Sequence, residues 1–234
     1  YFAKMHVDPK NPEMPDRDRF VLSKGHCAPA LYATLAERGF FDKEELKSLR
    51  HIGAMLQGHP CIHIPGVDMS SGSLGQGISA ACGMALAAKI DNAPYRVYTV
   101  LGDGEIEEGQ VWEAAMFAAQ YRLDSLVAIV DNNGLQIDGK LSDVCSPEPI
   151  PEKFEAFGWH VIRMDAHDFD SIEAAMQEAE TIVGKPVAII QKSVKGKGVS
   201  FMENQVGWHG KAPNDAEYVQ AMAELTAQLK ELEG

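Results

Sequence analysis

The 234-residue sequence contains no apolar run approaching the roughly 20 residues that a membrane-spanning helix needs. Basic residues are scarce: 21 Lys and Arg stand against 34 Asp and Glu, for a formal net charge of −13. That deficit argues against nucleic acid or an anionic membrane as partner, since both require a cationic face. An anionic ligand must then be held by local charges. Cysteine is sparse too. Cys27, Cys61, Cys82 and Cys145 form neither a CxxC pair nor a dense framework, which points to a reducing, cytoplasmic setting. Repeats, low-complexity tracts and Pro/Gly/Ser-rich linkers are also missing, so residues 1–234 read as one domain with a substantial core. The first residue is Tyr1, with no charged-then-apolar leader after it, and the expectation is that a further segment precedes it.

What the chain does have is alternation. Short runs rich in Val and Ile predict strands at Arg96–Leu101, Leu126–Val130, His160–Met164 and Val187–Gln191. Helical patterns fall between and around them, at Ala28–Arg38, Lys43–Arg50, Leu74–Lys89, Gln110–Tyr121, Ser171–Val183 and Asn214–Leu232. This order predicts a doubly wound α/β fold, a mostly parallel sheet with helices on both faces. Val111, Ala114, Ala115, Ala118 and Ala119 give one helix a small-residue face suited to close docking.

Two of the predicted strands end in oxygen ligands. One runs into Gly102-Asp103-Gly104 and the next into Asp131-Asn132-Asn133-Gly134. Either motif alone reads as a turn, because Gly, Asp and Asn dominate turns. Spaced around one strand-helix-strand unit, they bring Asp103 and Asn133 to the carboxyl edge of a parallel sheet, where ligands gather. A carboxylate, an amide oxygen and a nearby carbonyl suit Mg²⁺ or Ca²⁺, but are too few for a cage. They fit a metal that arrives with a polyphosphate.

The GDG motif, followed after 27 residues by Asn132-Asn133, resembles the thiamine-diphosphate signature. With "SKGHCAPALY", "GHP", "SSGSLGQG", "FEAFGWHVI", "KGKG" and "GWHGKAP", nearly the whole chain resembles the N-terminal, pyrophosphate-binding half of the transketolase family. The resemblance implies the thiamine-diphosphate-binding fold, thiamine diphosphate with Mg²⁺ (Ca²⁺ or Mn²⁺ as substitutes), and Asp103, Asn133 and the Leu135 carbonyl as metal ligands. It further implies Gly104 against the phosphates, Gly72, Ser73 and Leu74 against the cofactor rings, and Lys195 closing over the diphosphate. His26, His59 and His209 correspond to histidines that touch the diphosphate (His26 and His209 here), donor hydroxyls, or both. His6, His51, His63, His160 and His167 stand in no such context and are assigned no role. Lys24 and Lys211 are read equally as phosphate contacts and as solvated surface lysines.

Three glutamates follow GDG. Glu105 and Glu107 are read equally as functional and as an acidic first helical turn that complements the helix dipole. Glu108 resembles the family glutamate that crosses the subunit interface to a catalytic glutamate of the partner. The implied reaction moves a two-carbon ketol unit from a ketose phosphate to an aldose phosphate, as in pentose phosphate metabolism. The pyrimidine-binding and C-terminal domains are not in the sequence. The resemblance therefore implies either a piece of a longer transketolase or, the reading favoured by the polar helix that ends the sequence, the N-terminal subunit of a split transketolase, assembled with a C-terminal partner into a heterotetramer or homodimer-based complex. Two other readings stay open: another thiamine-diphosphate enzyme half, such as a 1-deoxyxylulose-5-phosphate synthase or an unusual-sugar ketol transferase, and a non-catalytic cofactor-binding subunit.

Overall fold

The computed structural model describes residues 1–233. Its main sheet begins with β1 (Arg19–Leu22), β2 (Val97–Gly102) and β3 (Leu126–Asn132). A small antiparallel hairpin follows at once, β4 (Leu135–Gln136) and β5 (Gly139–Lys140), before the chain returns to the main sheet in β6 (His160–Asp165) and β7 (Val187–Lys192). The five long strands are all parallel, in the order β1-β2-β3-β7-β6. Parallel pairing requires crossovers, and helices supply them.

The helices are α1 (Ala28–Arg38), α2 (Gln76–Asp91), α3 (Gly109–Gln120), the single turn α4 (Leu141–Val144), α5 (Ile150–Ala156), α6 (Phe169–Thr181) and α7 (Asp215–Glu233). One face of the sheet is covered by α2, α3 and α5, through Ile78, Ala81, Val111, Ala115 and Phe154 against Leu101, Ala128 and Ile190. On the other face α6 packs Ala175 and Ala179 against Val127, Ile162 and Ile189. Tyr32 and Leu35 of α1 form a third cluster with Leu22, Leu56 and Ile64. Burial on both sides explains the near-continuous apolar runs of the inner strands. The doubly wound α/β architecture is thus the one expected.

Several boundaries differ from expectation, each for a local reason. The helix expected from Leu74 starts at Gln76, because Gly75 turns the chain with φ of 79°. The stretch expected to be a helix over 43–50 is a 3-10 turn, Lys43–Ser48, capped where Asp42 accepts the Glu44 amide at 2.9 Å. None of its six residues is buried, so no packed face favours a longer helix. β1, the hairpin and α5 were not expected. No described helix is long and apolar enough to cross a membrane.

The row of residues that ends the central strands is level: Gly102 pairs across to Asp131, and Asp131 to Gln191. Loops leaving this row enter one space. The first turn of α2 is pressed against the end of β1, so closely that a Cβ at Gly77 would lie 2.5 Å from the Ser23 backbone. Gly77→Ala is therefore expected to destabilise the chain by about 1–3 kcal/mol despite the better helix propensity of alanine. Urea unfolding of the two proteins measures this; equal stability would show that the contact gives way freely.

Candidate active site

The carboxyl ends of all five long strands surround a cavity of about 460 Å³. Lys24 and His26 enter after β1, Asp103 and Gly104 after β2, and Asn133 and Leu135 after β3. His167 follows β6, Lys195 follows β7, and His209 arrives from a loop farther along the chain. The acidic protein thus gathers lysines and imidazoles in one place.

The oxygen donors sit on the cavity floor. Asp103 is 2% exposed, and its two carboxylate oxygens accept backbone amides from Gly104 at 2.9 Å and Gly134 at 2.6 Å. Burial raises its pKa, against the opposing pull of those amides. The side-chain oxygen of Asn133 accepts the Leu135 amide at 3.0 Å, which tightens the turn into the hairpin. Gly104 leaves little room for a side chain: a Cβ there would lie 3.0 Å from that of Gln136.

Glu105 is 3% exposed and is the polar centre of this end of the molecule. One of its oxygens accepts the Ser23 hydroxyl and the Gly75 amide, the latter at 2.9 Å. The other accepts the Gly102 amide at 3.0 Å. Burial raises its pKa while these bonds lower it. Its role is therefore not that of an acidic residue answering a helix dipole. Glu107 instead accepts the Gln136 side-chain amide at 3.3 Å.

Charge around the cavity is partitioned. Lys24 is largely buried, its side chain 13% exposed, and is paired with Asp131, which also accepts the Ser193 hydroxyl. Burial alone would lower the Lys24 pKa, but the Asp131 charge overrides it and holds the ammonium above its ordinary value. Asp131 is correspondingly lowered, because Lys24 and the hydrogen bonds outweigh its own burial. Lys24 is thus neither a solvated lysine nor a free phosphate ligand. Lys211 pairs with Glu217 at 2.7 Å and lies over the Trp208 ring, outside the cavity lining; the surface reading holds for it. Lys195 has no carboxylate partner among the described residues.

His26 and His209 stack with ring centroids 5.1 Å apart. Burial, then His209, Lys24, Lys195 and His59, push the His26 pKa down to about 4. His209 is lowered by burial and by Lys195 and Lys24. Both rings are neutral near pH 7, and His209 Nδ1 is buried without a partner among the described residues. A half-buried unpaired ammonium beside such rings is suited to an anion.

Other expected site residues border the cavity. Leu74 lines it, whereas Gly72 and Ser73 do not. His59 is exposed, and its ring would stand 3.3 Å from a Cβ on Gly72. Its loop is held by the buried Tyr32 hydroxyl, which donates to the His59 carbonyl at 2.8 Å. Glu108 is exposed at the start of α3 and lies outside the cavity; its Cβ would be 2.9 Å from one on Gly75. Asp131 was missed, although it precedes the asparagine pair directly.

A family model described as transketolase, thiamine diphosphate binding domain, matches residues 1–230. The chain belongs to the transketolase family. Among transketolase relatives, it is 49% identical over 226 residues to the 6-deoxy-6-sulfo-D-fructose transketolase subunit of Clostridium sp. (strain MSTE9), covering 96% of this chain and 82% of that protein. An apulose-4-phosphate transketolase subunit of Phocaeicola vulgatus is 43% identical over 233 residues, covering 100% of this chain and 83% of the relative. The crystal structure of transketolase from Campylobacter jejuni superposes with a TM-score of 0.90 at 32% identity, covering 95% of this chain but 36% of that one. The chain thus spans most of each subunit relative and little over a third of that longer transketolase.

Two expectations follow for this transketolase-family site. Glu105→Ala leaves three buried donors without an acceptor and is expected to cost about 2–4 kcal/mol of stability, Glu105→Gln less, as measured by urea unfolding. The His26 pKa lies below its ordinary value of about 6.5, so its neutral form favours folding: that contribution is full above the ordinary value and is lost as pH falls toward about 4. An NMR titration should find His26 neutral at pH 5 (roughly midway between those values); an ordinary midpoint would contradict the stacked, half-buried arrangement.

Proposed function

We propose that this chain is the N-terminal subunit of a split transketolase, which works with a C-terminal subunit carrying the pyrimidine-binding domain. The observation that carries the reading is the convergence of Asp103, Asn133 and Leu135 with Lys195, His26 and His209 on one cavity. The naming of two relatives as transketolase subunits supports it.

The residues fit thiamine diphosphate with a hard divalent cation. Asp103, the Asn133 amide and the Leu135 carbonyl are oxygen donors of the kind Mg²⁺ prefers, and Ca²⁺ or Mn²⁺ accepts the same set. Among the described residues no group of three or more His, Cys, Asp or Glu side chains forms a metal cage. A bound cation would draw its remaining ligands from phosphate and water. The unpaired Lys195, which lines the cavity, supplies a polar contact that a diphosphate satisfies. When bound, the cofactor supplies an electron sink for the ketol fragment. The chain's own residues bind and orient it. His26, His59 and His209 each carry two ring nitrogens, and a neutral imidazole donates at one and accepts at the other, as substrate hydroxyls require. Glu108, exposed and outside the cavity, offers its carboxylate to the partner's glutamate.

The substrates are a ketose donor with an anionic end and an aldose phosphate acceptor. The sulfonate and phosphate in the names of the two relatives' substrates are both anionic ends of this kind. The four cysteines are free, in keeping with a cytoplasmic protein, and the assembly is a heterotetramer or is built on a dimer of this single domain.

The test is a ketol-transfer assay with the chain, its partner, Mg²⁺ and thiamine diphosphate. Transfer between an anionic ketose and an aldose phosphate is expected only with both chains present, and Asp103→Ala should lower the rate by about 100-fold or more. Transfer by either chain alone, or undiminished transfer with Asp103→Ala, would refute the reading.

A further inference from the structure

The cation that faces the cavity rides on the segment that leaves β7, and that segment has few ties to the sheet. The Ser193 amide donates to the Asn132 carbonyl at 3.1 Å and its hydroxyl to Asp131, the Lys195 carbonyl accepts the Asn204 amide at 2.9 Å, and the Gly198 amide donates to Glu203 at 3.0 Å. Between these, the Val194 amide has one partner: it donates to Nε2 of His167 at 2.8 Å. Val194 is the residue immediately before Lys195.

His167 is well set to accept that bond. It stands in the turn after the edge strand β6, next to β7. There its own amide donates to the Asp165 carboxylate at 2.9 Å, a turn in which the side chain fixes the backbone. The Ala166 amide donates to the Lys192 carbonyl at 2.9 Å, the last backbone tie between the two strands. Beyond it the imidazole continues the connection. A backbone amide can only donate, so Nε2 is the accepting nitrogen and the ring proton belongs on Nδ1.

We propose that His167 is a positioning residue: by accepting the Val194 amide it holds the segment that places Lys195 at the anion cavity. The inference rests on the reading of Lys195 as a diphosphate contact. His167 needs no contact with substrate or cofactor for this role, and acts through its neighbour.

The test uses the full chain with its partner subunit. His167→Phe keeps a planar ring and removes the acceptor, whereas His167→Gln puts an amide oxygen near the position of Nε2. With Mg²⁺ present, calorimetry should show thiamine diphosphate and inorganic pyrophosphate binding about three- to tenfold more weakly to His167→Phe, and within about twofold of the parent for His167→Gln. In a Lys195→Ala background the effect of His167→Phe should vanish, because both changes remove the same contact. In the chain without cofactor, trypsin should cut after Lys195 and Lys197 faster in His167→Phe than in the parent or His167→Gln. Parental trypsin rates in His167→Phe would overturn the anchor, as would an equal loss of affinity in both backgrounds or equal defects in the two His167 variants. A Lys195→Ala chain that binds pyrophosphate as tightly as the parent would instead overturn the diphosphate reading of Lys195, so the two failures are separable.

Discussion

The carboxylate of Glu105 fixes how three turns meet at the carboxyl edge of the sheet. Its partners are the Ser23 hydroxyl beyond β1, the Gly102 amide at the end of β2 and the Gly75 amide at the start of α2. Burying a carboxyl group is costly unless its hydrogen-bonding capacity is met, and here three donors meet it, two of them, Ser23 and Gly75, from distant parts of the chain. Any shift of one turn leaves a buried oxygen short of a partner. The turn bearing Lys24 and His26, the GDG turn and the glycine-rich loop are thereby set in mutual register.

A second tie runs across the sheet. Lys24, Asp131 and Ser193 leave β1, β3 and β7 and join beneath the cavity. The pair balances a largely buried positive charge, so the uncompensated cationic charge at the cavity falls to Lys195. A protein of net charge −13 thus presents a locally cationic pocket: the charge resides in a few oriented groups rather than in the field of the whole surface.

The parts of this arrangement that were legible in the sequence are those set by local spacing. The inner strands are apolar because both faces are covered, and Asp103 and Asn133 are readable because each follows such a strand directly. β1 is four residues long and the hairpin strands two each, too short for periodicity to show. Glu105 was ambiguous for a different reason. In sequence it sits among three acidic residues at a helix start, and only the folded chain brings Ser23 and Gly75 to it. The same holds for Asp131 and Lys24, which lie 107 residues apart. Long-range polar pairing leaves no local pattern, whereas a polar residue set directly after an apolar strand does.

The all-parallel strand order also bears on how the protein comes into being. The cavity draws on residues from Lys24 to His209, and each strand that feeds it needs a crossover before it can pair. Sheets of this kind form slowly, since loop closure precedes the contacts that reward it. β1, β2 and β3 are neighbours in the sheet, so the chain up to Leu135 already carries the Lys24–Asp131 pair and the oxygen donors of the cavity floor. Lys195 and His209 come later, so a growing chain acquires the acidic floor of its pocket well before those two groups reach it.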